Sequence, residues 1–296
     1  MLDFFLKPLN HFCFSQSYLQ INSIMKKITT LLFVVLAITF SFAQQSEETE
    51  HTGDNFSLEG ALAMFKKASS LEDFEKILNQ EDNNVNNLDL NNDGRIDYIN
   101  VDDIKDNDTH VIVLSTYLKE NEKQDIATIG IEKTAKDEAS LQIEGDPDLY
   151  AENTIVEPFA GSDKLENSKG GPNVPEINSA GIFVNVWFWP CVSFVYAPAY
   201  VPWVSPNRWG FYPRWWRPWN PYRYNMFYAR CAPHRMFFRP TLYRRMYVAR
   251  RMYAPRRRMS VFVVHRNRNS NFRGNNRQNN RGQMRGNRGF GGKHRR

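Results

Sequence analysis

No Asp or Glu follows Glu176, although 120 residues of chain remain and these carry 24 Arg and Lys. One evenly mixed globular surface cannot arise from such a distribution. It predicts two parts of opposite electrostatic behaviour, the second seeking anions. Cysteine is scarce: Cys13, Cys191 and Cys231 are the only three, too few for a disulfide-dense scaffold. His-rich metal spacing, a nucleophile elbow, a phosphate loop and a zinc signature are all missing. These absences remove the catalytic classes that short motifs reveal, so the expectation is a non-enzymatic protein.

What is present begins with a secretory signal over residues 25–43. Met25-Lys26-Lys27 forms a basic n-region, Leu31 to Ile38 is an unbroken apolar run, and Ser41-Phe42-Ala43 supplies the small-x-small cleavage pattern. The apolar run is shorter than the roughly 20 residues of a membrane span, so cleavage before Gln44 is expected, with an uncleaved anchor as the alternative. No Cys follows this run, which argues against lipid attachment at the cleavage point. Residues 1–24 precede a complete signal and read as an upstream extension from a wrongly assigned start. Export puts Cys191 and Cys231 in an oxidising compartment. One disulfide, worth about 4 kcal/mol on the chain-entropy model, and two buried thiols both fit.

The stretch from Gln44 to Glu176 holds 31 acidic residues against 11 basic ones. Residues 44–54 read as a flexible lead and 55–158 as an acidic α+β domain. Leu58, Leu62 and Phe65 recur at helical spacing; Ser70 with Asp73 opens a second helix carrying Leu71, Phe74, Ile77 and Leu78 on one face. Strands are expected over Ile96–Ile104 and His110–Leu118, and the alternations Ala127/Ile129/Ile131 and Ala139/Leu141/Ile143 add two more. Such alternation indicates an antiparallel sheet with one wet face. The expected fold is two short helices packed on a small antiparallel sheet.

Asp89, Asn91, Asp93 and Asp97 occupy positions 1, 3, 5 and 9 of a loop with Gly94 at position 6. Oxygen ligands at alternate positions and a glycine turn suit calcium, with the Arg95 carbonyl at position 7 as a further ligand. Position 12 is Asn100 instead of Glu, and β-forming residues follow, so the resemblance is to calcium loops joining strands in extracellular β-repeat proteins. A plain Asn-Asp-Gly turn without metal uses the same residues.

Residues 159–180 read as a linker and 181–263 as an irregular Trp/Tyr/Pro/Arg-rich segment. All seven Trp fall between Trp187 and Trp219, and Ile182 to Val204 is uncharged. Pro190, Pro198 and Pro202 break that run, which disfavours a membrane helix; a short strand over 183–189 is expected instead. Arginines and aromatics then interleave, a pairing that grips anions with apolar or ring character. Arg244, Arg245, Arg250, Arg251, Arg256, Arg257 and Arg258 are candidate polyanion ligands, as are Arg273, Arg281, Arg285 and Arg288 of the Arg/Asn/Gly tail. The tail, 264–296, has too little apolar surface to fold and is expected to be disordered. An aromatic cluster packed on the first domain, with its arginines merely solvated, is the structural alternative.

Leu88-Asp89-Leu90-Asn91-Asn92-Asp93-Gly94-Arg95-Ile96-Asp97-Tyr98-Ile99, His110-Val111-Ile112-Val113-Leu114 and the Trp/Tyr/Pro block near 196–224 resemble a group of uncharacterised exported proteins of Gram-negative bacteria. The resemblance spans roughly 85–225 and implies an envelope location, periplasmic or on the outer surface. There the available anions are lipopolysaccharide, acidic polysaccharide, lipid head groups and released DNA; export argues against cytosolic nucleic acid. Two functions follow: binding of an anionic polymer or membrane surface by the basic half, or self-association into a matrix by acidic-to-basic docking.

Overall fold

The computed structural model describes residues 51–159 and 184–266. The expected extension and signal, most of the linker and nearly all of the basic tail lie outside the described residues.

Helix α1 (Leu58–Lys67) starts at Ser57, whose Oγ accepts from the Gly60 amide at 3.0 Å. Helix α2 (Leu71–Leu78) starts at Ser70, whose Oγ accepts from the Asp73 amide at 3.1 Å. The Asp73 carboxylate reaches past Ser70 to the Ser69 amide at 2.9 Å, so the cap is fastened one residue further back than a capping box would fasten it. Leu62, Phe65, Leu71, Phe74 and Leu78 are fully buried. Of the lead expected to be flexible over 44–54, residues 44–50 lie outside the described residues; in the rest, Thr52–Asn55 forms a 3-10 turn and the Gly53 amide donates to the Leu149 carbonyl at 2.8 Å.

An antiparallel sheet completes an α+β fold. Strands β1 (Asn100–Asp106), β2 (Thr109–Lys119), β3 (Glu122–Ala135), β4 (Glu138–Gly145), β5 (Ile155–Pro158) and β6 (Phe238–Thr241) pair in sequence order. The β1–β2 connection is tight because Asn107 adopts φ 49°, a value suited to a two-residue hairpin turn. Ile112, Ile129, Ile131, Leu141 and Ile143 join the helices in the main core.

The strand expected from Ile96 begins at Asn100. The preceding amides have other acceptors: Ile96 donates to the Trp219 carbonyl at 2.9 Å and Ile99 to Asn79 Oδ1 at 2.8 Å. Residues 184–189 form no strand. Asn185 Oδ1 accepts from the Ala139 and Trp187 amides, and Pro190 then opens helix α3 (Pro190–Val195). The stretch expected to be irregular also contains α4 (Tyr224–Arg230), α5 (Ala232–Arg235), β6 and α6 (Tyr247–Tyr253).

The second half contributes to the same core through Val186, Trp189, Cys191, Val192, Val195 and Phe238, and the described residues belong to one compact unit. The face expected to be wet is partly covered by α6. Val111 and Val113 pack against Met246 and Ala249, and a Cβ added at Gly130 would lie 2.8 Å from the Ala249 Cβ. Only glycine admits so close an approach. The polar residues that alternation places on this face bind the covering segment: Glu132 Oε1 accepts from the Val248 and Ala249 amides, both at 3.0 Å.

Ion pairs join the halves. Arg258 reaches Asp125 at 2.8 Å and Asp102 at 3.0 Å, and Asp102 also receives Lys123 at 2.9 Å. Replacing Arg258 with Met would leave Asp125, which has no exposed surface, without its guanidinium. The cost should be about 2–4 kcal/mol, below that of a fully enclosed pair because the Arg258 side chain is 36% exposed. Burial raises the Asp102 carboxyl, but Lys123 and Arg258 outweigh it and hold the group below 3.8. A depressed carboxylate stabilises above its unfolded pKa and loses that contribution as pH falls through its folded value. The native protein should therefore lose stability on acidification below about pH 4, and Arg258→Met should lose less over the same window. Urea unfolding of both proteins from about pH 4 downward measures both effects, since the raised carboxyls of Glu75, Asp97 and Asp146 act with the opposite sign at higher pH.

Candidate functional site

The loop 89–97 closes on itself. Asp89 accepts from the Asp93 amide at 3.1 Å and the Gly94 amide at 2.9 Å; Asn91 Oδ1 accepts from the Asp93 amide at 2.9 Å; Asp93 Oδ1 accepts from the Arg95 amide at 2.8 Å. Gly94 at φ 80° and Asn92 at φ 59° make the turn. Asp97 is buried and accepts from the Leu90 amide at 2.6 Å; burial pushes its carboxyl up to about 8, helped by the negative charges of Asp89 and Asp93. Among the described residues no group of three or more His, Cys, Asp or Glu side chains is arranged to hold a metal ion. Among the described residues no strand precedes the loop, which links the region after α2 to β1.

Most of the candidate polyanion ligands that the structure describes face carboxylates of the first half. Arg244 forks onto Glu144 at 3.1 and 2.6 Å, and Arg250 binds the same carboxylate. Arg245 lies 3.4 Å from Glu157. Arg257 grips Asp146 at 2.6 and 2.7 Å and Asp148 at 2.5 Å, while Arg258 holds Asp125 and Asp102. Arg251 and Arg256 are exposed, and Arg256 donates to the Met252 carbonyl. Arg273, Arg281, Arg285 and Arg288 lie outside the described residues.

Other arginines stand in the open: Arg208, Arg214, Arg217, Arg223 and Arg230 are exposed. They interleave with exposed apolar side chains, among them Phe211 at 78% and Trp215 at 45% exposure. Every large exposed hydrophobic side chain of the described residues lies between Phe188 and Phe262. The Arg-aromatic alternation from Arg208 onward, which the sequence offers as an anion-gripping pairing, marks this surface, although its arginines were not among the residues singled out as polyanion ligands. Among the described residues no helix is long and apolar enough to cross a membrane.

His110 and Asp103 form a pair at 2.8 Å, to which Tyr200 donates through its hydroxyl. Both members are buried, with the Tyr196 and Tyr200 rings 4.9 and 5.7 Å from the imidazole. The spacing is that of an acid–base dyad, but the pair is sealed from solvent.

Cys191 and Cys231 are separate buried thiols, in agreement with the second of the two cysteine expectations; the Cys231 thiol donates to the Asn84 carbonyl at 3.1 Å. Burial raises both, Cys231 to about 11, so neither is a reactive thiolate at neutral pH.

Comparison with known proteins finds nothing similar: no family model, no curated protein and no solved structure matches the chain.

The cysteine assignment is directly testable. Iodoacetamide should modify neither Cys191 nor Cys231 in the folded protein and both after unfolding without reductant, as read by peptide mass spectrometry. A disulfide would leave both unmodified in either state.

Proposed function

We propose that the chain is an exported, non-catalytic envelope protein that holds to an anionic membrane surface through its second half. The observation that carries this reading is that, among the described residues, the large exposed apolar side chains are confined to residues 188–262, among exposed arginines. Tyr, Trp and Phe settle at the level of lipid head groups, and guanidinium forks match phosphate oxygens. Each Arg near an anionic surface adds about 1 kcal/mol. Assembly by acidic-to-basic docking between copies has less support, because Glu144, Glu157, Asp146, Asp125 and Asp102 are already paired within the chain.

Co-sedimentation with vesicles tests the reading. The mature protein should pellet with phosphatidylglycerol vesicles and remain in solution with phosphatidylcholine. Raising salt from about 0.1 to about 1 M, which shortens screening from about 10 to about 3 Å, should release it. Phe211→Ser with Trp215→Ser should weaken binding, while sizing shows a mass independent of concentration. No vesicle binding, with mass rising with concentration, would replace this reading by self-assembly.

Calcium at the loop 89–97 is a second part of the proposal. It is favoured by the negative charges of Asp89 and Asp93 beside the buried Asp97 carboxyl, charge that a divalent cation would offset. Asp89, Asn91, Asp93, Asp97 and the Arg95 carbonyl would supply the oxygens after the carboxylates rotate off the loop amides. That exchange makes the site weak, in the millimolar range of extracellular modules. Calorimetry should give saturable heat at millimolar calcium that Asp93→Ala abolishes; no heat leaves a capped turn.

A further inference from the structure

Between α6 and the sheet lies a cavity of about 170 Å³. Its walls include Val111, Gly130, Ile155, Met246, Ala249 and Tyr253, so its body is apolar. For scale, an apolar cavity of about 150 Å³ accommodates benzene. Its charged lining residues are Glu144 with Arg250 and Asp146 with Arg257.

These two pairs are not equivalent. At Asp146 both oxygens are taken: Oδ2 by Arg257 Nε at 2.6 Å, and Oδ1 by Arg257 at 2.7 Å and the Asp148 amide at 2.9 Å. Asp146 is itself buried, so no acceptor is open to a cationic ligand. At Glu144 one carboxylate serves two guanidiniums, Arg244 by a fork and Arg250 by a single nitrogen. Glu144 therefore holds one guanidinium more than its fork with Arg244 needs. The Arg250 side chain is 48% exposed against 21% for Arg244, so Arg250 is the one free to turn to another acceptor. Glu144 would keep its fork from Arg244 when Arg250 turned away.

We propose that this cavity binds one small organic anion, a ring-sized apolar body under α6 with its carboxylate on Arg250. The apolar walls take up the ring, and the Arg250 guanidinium, turned from the carboxylate that Arg244 keeps, supplies a charge-assisted hydrogen bond. This site is independent of membrane attachment: the ligand enters from solution, and the exposed surface of Phe211 and Trp215 has no part in it.

Calorimetry on the full mature chain with benzoate, benzyl alcohol, benzylamine and acetate tests the proposal without vesicles. Benzoate should bind with one site per chain, at least about tenfold tighter than benzyl alcohol, given the worth of a hydrogen bond to a charged group. Acetate, which lacks the body, and benzylamine, which carries the wrong charge, should give no saturable heat. Arg250→Met should bring benzoate down to the affinity of benzyl alcohol while far-UV circular dichroism is unchanged, since Glu144 retains Arg244. Val111→Phe, which puts a ring into the cavity from its buried wall at constant charge, should abolish binding of both ring compounds. Benzylamine binding as well as benzoate, many weak sites per chain, or benzoate affinity unmoved by both substitutions would overturn it.

Discussion

The fold depends on carboxylates of the first half being buried beneath donors, most of them from the second. Glu75 on α2 is 2% exposed. Its oxygens accept from the Tyr98 hydroxyl at 3.0 Å, the Val101 amide at 3.2 Å, Trp203 Nε1 at 3.4 Å, the Ser205 hydroxyl at 2.8 Å and Asn207 Nδ2 at 2.7 Å. Burial still pushes this carboxyl above its usual range, against the pull of those donors. A charge in that position without partners costs several kcal/mol. Three of the five donors come from residues 203–207, so α2 and β1 have a stable arrangement only when the aromatic segment lies over them. Asp125 and Asp146 repeat the relation on the other face with Arg258 and Arg257.

That arrangement explains why the charge segregation of the chain does not produce two separate bodies. The negative half spends much of its charge inward and sideways on the positive half. What is left facing outward from residues 188–262 is apolar and cationic, with Phe211, Trp215, Leu242, Tyr243 and Tyr247 exposed near Arg208, Arg214 and Arg251. A surface of that composition suits anionic head groups better than water alone, and it lies on a scaffold held by buried ion pairs that salt screens weakly. The proposed envelope function rests on this division between enclosed and exposed cations.

The α1 and α2 helices and strands β2 to β4 were legible in the sequence because each depends on local signals: the spacing of Leu58, Leu62 and Phe65, Ser70 as a cap, a helical stripe through Leu71, Phe74 and Leu78, and strict alternation through Ile129 and Ile131. Strand β6 was not legible. Phe238-Arg239-Pro240-Thr241 is four residues long and contains a proline, and it forms only because β5 offers an edge. Helix α6 was hidden in an imperfect Arg-Arg-Met-Tyr repeat, whose spacing hides that Met246 and Ala249 share the face meeting Val111 and Val113. At the candidate sites, the turn at Gly94 was legible and the enclosed arginines were not. Arg244 and Glu144 are separated by 100 residues, and no local pattern records such a pairing.

All seven Trp lie between 187 and 219, whereas five of the six strands among the described residues lie between 100 and 158, so two optical signals report the two halves separately. Denaturant unfolding followed in one sample by Trp fluorescence and by far-UV circular dichroism is the most direct test of the claim that the halves fold as one. Coincident transitions with a single midpoint are the predicted result. Loss of the Trp signal at lower denaturant, with the sheet signal intact, would contradict it.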